Sequence, residues 1–189
     1  MLDGHPQVCA PDERFAYCNG GYAVLALLVE RVTGRPFAEI LAERVCEPMG
    51  LVDTAFLRSD EQPARTALGY LAAEGDRTNV LHLPVRGTGD GGTSTTVADV
   101  HRLWASIDPG LAAVAWAPRS DVPQEGMRYG LGFWLHPTGP AVIQEGYDAG
   151  VSFRSVHDAA TRTTHTVISN WSDGAWPLSR LLRQLVTPS

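Results

Sequence analysis

Hydrophobic positions along the chain follow two periods, and the change comes after a proline-rich connection beyond residue 107. From Gly20 to Thr33 the chain is apolar almost all round, at Tyr22, Val24, Leu25, Leu27, Leu28 and Val29. Charge enters only at Glu30 and Arg31, and Gly34 supplies a stop. This pattern predicts a buried helix. Pro36 suits a first helical turn, and Phe37, Ile40, Leu41 and Val45 recur at helical spacing. The second helix is predicted to end before Pro48, because proline disfavours helical geometry in the residue ahead of it. Thr96 and Asp99 form a capping-box pattern ahead of Val97, Val100, Leu103, Trp104 and Ile107, which predicts a third, amphipathic helix.

Beyond that helix the period shortens. Tyr129 to His136, Ala141 to Glu145, Val151 to His157 and Thr163 to Ser169 read as short strands joined by turns. A closing helix from about Ala175 to Val186 gathers Leu178, Leu181, Leu182 and Leu185 on one face. Residues 1–14 read as irregular, and residues 57–93 as glycine-rich loops with short strands. Helices followed by an antiparallel run predict one α+β domain over residues 1–189. Its helical part spans about 15–110, and its strands and closing helix about 125–187. With three or four strands in view, the sheet is narrow and leaves an exposed edge.

Composition narrows the function. The 15 basic and 21 acidic residues leave a formal net charge of -6, which disfavours a broad nucleic-acid surface. All the basic residues are arginine. With no lysine, a Schiff-base lysine, a phosphate-loop lysine and a Ser-x-x-Lys pair are all excluded within these residues. The longest apolar run, Tyr22 to Val29, is too short to span a membrane, so no membrane partner is expected. The N-terminal residues lack the basic and apolar regions of an export signal, and a cytoplasmic location is expected. Cys9, Cys18 and Cys46 read as free thiols, with a disulfide as the alternative. The six histidines are scattered, so neither a metal nor another cofactor is expected.

Two short segments could carry chemistry. Tyr17-Cys18-Asn19 precedes the first helix and can turn a phenol and a carboxamide toward one cleft. There the phenol can move a proton and the amide can bind a carbonyl. Equally, Asn19 can be a plain N-cap and Tyr17 a core aromatic. The second segment, Glu145-Gly146-Tyr147-Asp148-Ala149-Gly150, lies between strands. It can bring backbone amides to a substrate oxyanion, or it can be a solvated turn. The glycine stretch at 87–96 lacks the lysine and spacing of a phosphate cradle. Ser94 and Ser152 lack the downstream glycine of a nucleophile elbow, so no nucleophile is assigned.

Taken together, these segments resemble the serine β-lactamase-related family of class C β-lactamases, DD-peptidases and esterases. Residues 15–56, FAYCNGGYAVLALLVERVTGRPFAEILAERVCEPMGLVDTAF, resemble the family's Tyr-x-Asn motif, the helix behind it and its Pro-Met-Gly-Leu-x-Asp-Thr-x-Phe element. GDGGTSTTVADVHRLW at 89–104 is similar to its glycine turn and next helix. GYDAGVSFRSVHD, THTVISN and the closing helix are similar to its last strands and C-terminal helix. The resemblance covers essentially the whole chain.

That resemblance implies the C-terminal half of a β-lactamase/transpeptidase-like domain. Its nucleophilic serine and lysine belong to an upstream Ser-x-x-Lys motif, beside two N-terminal strands that pair with the last strand. Tyr17 matches the catalytic tyrosine that moves the proton, and Asn19 the substrate-binding asparagine. Glu145, Gly146 and Tyr147 fall at the third motif, where the family carries Lys or His, a small residue and Gly. A carboxylate there repels a β-lactam carboxylate. An ester, amide or peptide substrate fits better, and the chain alone is expected to be inactive. Two alternatives stand beside a hydrolase fragment: a non-catalytic binding module, and a complementing subunit whose N-terminal half is a separate chain. Self-association through the open sheet edge is also expected.

Overall fold

The computed structural model describes residue 4 and residues 6–186. The irregular reading of residues 1–14 therefore lies partly outside it, at 1–3 and 5. Helix α1 (Asn19–Thr33) starts one residue earlier than its apolar pattern and stops at Gly34, whose φ of 68° allows a left-handed cap. Its burial differs from expectation. Ala26 alone is buried, while Leu25, Leu27, Leu28 and Val32 are 50–87% exposed. No described element covers the outer side of this helix, so its apolar side chains meet solvent instead of a second layer.

Helix α2 (Phe37–Leu41) continues without a break through a π-helical turn, Ala42–Cys46, into α3 (Glu47–Met49). The predicted stop before Pro48 is thus corrected. Across the wide turn the Glu47 N–H reaches back to Ala42 O, and Pro48 follows directly after it without breaking the helix. Gly50, at φ 65°, ends the helix, and the Leu51 N–H closes on Cys46 O at 2.8 Å.

Helix α4 (Val97–Ser106) has the predicted cap, with Thr96 Oγ1 accepting from the Asp99 N–H at 3.2 Å. A further helix, α5 (Pro109–Ala115), occupies what reads as a proline-rich connection. Asp108 caps it and Pro109 opens it, so the proline marks a helix start.

Among the described residues the sheet is antiparallel, six-stranded and ordered β1 to β6 in sequence: Ser120–Val122, Met127–Tyr129, Trp134–Leu135, Ala141–Asp148, Val151–Asp158 and Thr163–Ser169. It is wider than predicted. Ser120–Val122 goes unseen because three residues carry almost no period. The span read as one strand, Tyr129 to His136, is a hairpin broken at residues 130–133. Residues 57–93 hold only isolated bridges and one 3-10 turn, Val80–His82.

Strand register assigns the two faces. On one, α4 sends Val100 and Trp104 against Leu135 and Val142, and Trp104 Nε1 donates to Ser155 Oγ at 2.8 Å. On the other lies α6 (Ala175–Val186), whose first N–H bonds Ser152 Oγ at 3.0 Å. The alternation of side chains along β5 keeps Ser152 and Ser155 on opposite faces. Strand β6 pairs only with β5 among the described residues, so it is an edge, as expected. The predicted leucine face of α6 is mostly open, with Leu178, Leu181 and Leu185 exposed and Ser179 turned inward.

Candidate active site

The Tyr17-Cys18-Asn19 segment enters α1 through an aromatic cluster. The Phe15 ring lies 5.2 Å from Tyr129 and 5.7 Å from Trp134, and Tyr129 meets Trp134 edge-on at 4.9 Å. Tyr17 lies parallel to Trp134, with centroids 6.3 Å apart and planes 4° apart. Tyr129 and Trp134 face each other across the β2–β3 hairpin, so the sheet holds the platform on which the entrance to α1 rests. Tyr22 Oη lies 3.1 Å from Tyr129 Oη, fixing α1 to β2. Burial and this hydrogen bond push the Tyr129 phenol above its usual range, so it stays protonated.

Tyr17 is 64% exposed and Asn19 is also exposed. Asn19 does not cap the helix. Cys18 holds that position, with no side-chain cap bond. The carboxamide of Asn19 has no hydrogen-bond partner among the described residues and faces solvent. Gly89 backs the segment. A Cβ there would lie 2.3 Å from the Tyr22 carbonyl oxygen and 2.8 Å from Ala26 Cβ, so only glycine lets this loop lie on α1. The glycine stretch is thus a packing device.

The second segment ends strand β4 and is held from two sides. Asn79 Nδ2 donates to Ala149 O at 2.9 Å, and Asn79 Oδ1 accepts from the Gly69 N–H. Ser172 Oγ accepts from the Gly150 N–H at 2.9 Å and donates to Asp148 O. Gly150 has φ 72°, and a Cβ there would meet Asn79 Cβ at 2.9 Å. Asn79 and Ser172 were not singled out in the sequence. An asparagine in a polar loop carries no period, and only its burial marks it.

Register separates the third-motif residues. Glu145 pairs across the ladder with Arg154, and their side chains form an ion pair at 3.3 Å. Tyr147 sits opposite Ser152 and near Trp176, so Glu145 and Tyr147 share the α6 face. Gly146 and its neighbour Gln144 alternate to the α4 face, with Ser155. Burial raises the Glu145 carboxyl above its usual range, and Arg154 opposes the shift. On β4, Ile143 lies opposite Trp134, the ring that Tyr17 stacks on, so Tyr17 and the third-motif strand share one stretch of sheet. Ser152 is fully buried, and its hydroxyl is used by Trp171 O and the Ala175 N–H. The three cysteines are free. Among the described residues no cluster of His, Cys, Asp and Glu could hold a metal, and no helix is long and apolar enough to cross a membrane.

The same fold is found in known proteins. A penicillin-binding protein from Bacillus halodurans superimposes with a TM-score of 0.88 at 30% identity, covering 96% of this chain and 59% of that one. A D-aminopeptidase from Brucella anthropi is 32% identical over 139 residues, which is 68% of this chain and 26% of that protein. The D-amino acid amidase of Ochrobactrum anthropi SV3 shares the fold, with a TM-score of 0.70 at 21% identity over 90% of this chain and 58% of that one. The chain thus spans about a quarter of the matched D-aminopeptidase and under two thirds of the matched structures. The Beta-lactamase family model matches residues 1–185, and the chain belongs to the beta-lactamase family of serine hydrolases.

Proposed function

We propose that this chain is the substrate-recognition part of a serine hydrolase acting on amide, ester or peptide bonds, and that its nucleophile lies outside these 189 residues. One observation carries the reading. Tyr17 and Asn19 stand exposed at the entrance of a helix held to the sheet by aromatic contacts, in a chain without lysine. In the reaction, an external serine oxygen attacks the substrate carbonyl and the amine or alcohol leaves with the proton that the serine loses. Tyr17 relays that proton, and Asn19 donates from its amide to the substrate carbonyl next to the scissile bond. Water then cleaves the acyl-serine ester, releasing the acid and restoring the serine. The relatives named D-aminopeptidase and D-amino acid amidase support an amide substrate. Glu145, taken up by Arg154, offers no cation to a substrate carboxylate.

Two measurements test this. The chain alone, incubated with a fluorophosphonate or a chromogenic β-lactam, is expected to show no added mass and no turnover. Stoichiometric labelling of one of its serines would overturn the reading. Co-expressed with the Ser-x-x-Lys part of a related penicillin-binding protein, it is expected to support labelling of that serine. Tyr17→Phe and Asn19→Ala are each expected to reduce that labelling.

A further inference from the structure

Beside Tyr17 the aromatic cluster borders a hollow of about 270 Å³ that opens to solvent. Phe15, Tyr17, Tyr22, Leu25 and Tyr129 supply its walls with Gly21 beside them, and among the described residues no charged side chain lines it. We propose that this hollow seats one uncharged aromatic side chain of the substrate, next to the carbonyl that Asn19 engages. The inference rests on the function proposed above and adds the substrate's side-chain class.

Size points to this occupant. Pockets for whole drug-sized ligands run from about 300 to 1,000 Å³, and this one falls just below, enough for a ring and its methylene. Chemistry points the same way. Rings already meet here edge-on and parallel, at spacings that favour a further aromatic partner. A carboxylate placed here would meet apolar walls and find no cation among the described lining residues. The Tyr22–Tyr129 hydroxyl pair uses one proton between its two oxygens and leaves the other to donate. An amide carbonyl or a phenolic oxygen at the inner end of the ligand can accept it.

Gly21 provides a clean test. It lies in the first turn of α1 on the rim of the hollow, and a Cβ there meets no atom within 4 Å, so a larger side chain can be placed at the rim without a clash. The full chain is titrated with N-acetylphenylalanine amide, N-acetylalanine amide and N-acetylglutamate α-amide, followed by the NMR shift of the Trp134 indole. The phenylalanine probe is expected to bind at least about tenfold more tightly than the alanine probe, from the apolar area it buries. The glutamate probe is expected to bind no better than alanine. Gly21→Leu is expected to abolish the aromatic preference with the melting temperature unchanged or raised. Tyr129→Phe is expected to weaken the phenylalanine probe severalfold. Equal affinity for phenylalanine and alanine, no binding of any probe, or full phenylalanine binding by Gly21→Leu would each overturn the inference. Failure of the underlying function reads out separately, in the co-expression labelling, which does not require an aromatic ligand.

Discussion

Helices α1 and α4 make an instructive pair. By sequence α1 is the more apolar, yet one of its residues is buried. The shorter α4 carries His101, Arg102 and Asp99 and still buries Val100, Trp104 and Asp99. The difference is the partner. Trp104 lies between Trp116, Phe133 and the His157 ring and bonds Ser155, which come from the end of α5, the β2–β3 turn and strand β5. Asp99 accepts the Asp53 N–H and the Thr54 hydroxyl and pairs with Arg102, so its buried charge is compensated. The apolar side chains of α1 have no such opposite surface beyond the aromatic cluster. An apolar stripe reports what a helix can bury; only a complementary surface makes it do so.

That contrast can be broken most sharply at Trp104. Trp104→Ala is expected to cost about 3–5 kcal/mol, the range for an aromatic removed from a packed core. Leu28→Ala or Val32→Ser on α1 should change stability by less than about 0.5 kcal/mol. Urea unfolding of the three variants checks the ranking, and a comparable loss for the α1 variants would show that this helix is packed after all. Asp99→Ala comes next, at about 2–3 kcal/mol, because it leaves the Asp53 N–H and the Thr54 hydroxyl without their acceptor. Thermal melting with Asp99→Asn as the milder comparison would test it.

A smaller effect follows pH. His157 stacks on Trp104 and His165 sits on β6, and burial holds both imidazoles below their ordinary value of 6.5. Asp158 partly opposes the shift at His157, and Arg154 adds to it at His165. Below 6.5 the unfolded chain therefore binds more protons than the fold does. Stability is expected to fall as pH drops from 6.5 toward the folded values, and to be insensitive to these groups above 6.5. Denaturant midpoints between about pH 5 and 7.5 should show this slope, and it should flatten in the His157→Gln, His165→Gln double variant.

The smallest change in stability, with a visible change in behaviour, is expected at the open surfaces. Among the described residues strand β6 has no partner on its outer side and Ile168 is partly exposed, while α1 and α6 present leucines. Such edges template strand pairing between molecules. Light scattering is expected to show self-association of the chain. Ile168→Lys together with Val32→Arg should reduce it while moving the unfolding midpoint by less than about 0.5 kcal/mol. A monodisperse wild-type monomer would show that these surfaces tolerate water unaided.

Much of the fold was legible because the relevant signals are local. Thr96 and Asp99 mark the start of α4, Thr163–Ser169 alternates as a strand should, and Gly34 ends α1 through a conformation that glycine adopts without strain. Tyr17 and Asn19 were also visible, as a phenol and an amide two residues apart at a helix entrance. The less legible parts were short or cooperative. Strand β1 spans three residues, and the π-turn that carries the chain past Pro48 depends on hydrogen bonds that no residue pattern announces.

By itself, then, the sequence determined the longer periodic segments, α1, α4, β4 to β6 and α6, where Gly34 and Thr96 bound them, and that no lysine chemistry takes place within them. These follow from side-chain period, backbone freedom and the functional groups present. Tertiary structure alone decided that Trp134 meets Tyr17 and that Asn79 holds the β4–β5 turn. It also set Glu145 on the α6 face, apart from Gly146. Each of these depends on strand register or on residues far apart in the chain. A one-residue shift in register would turn every side chain of β4 to the opposite face.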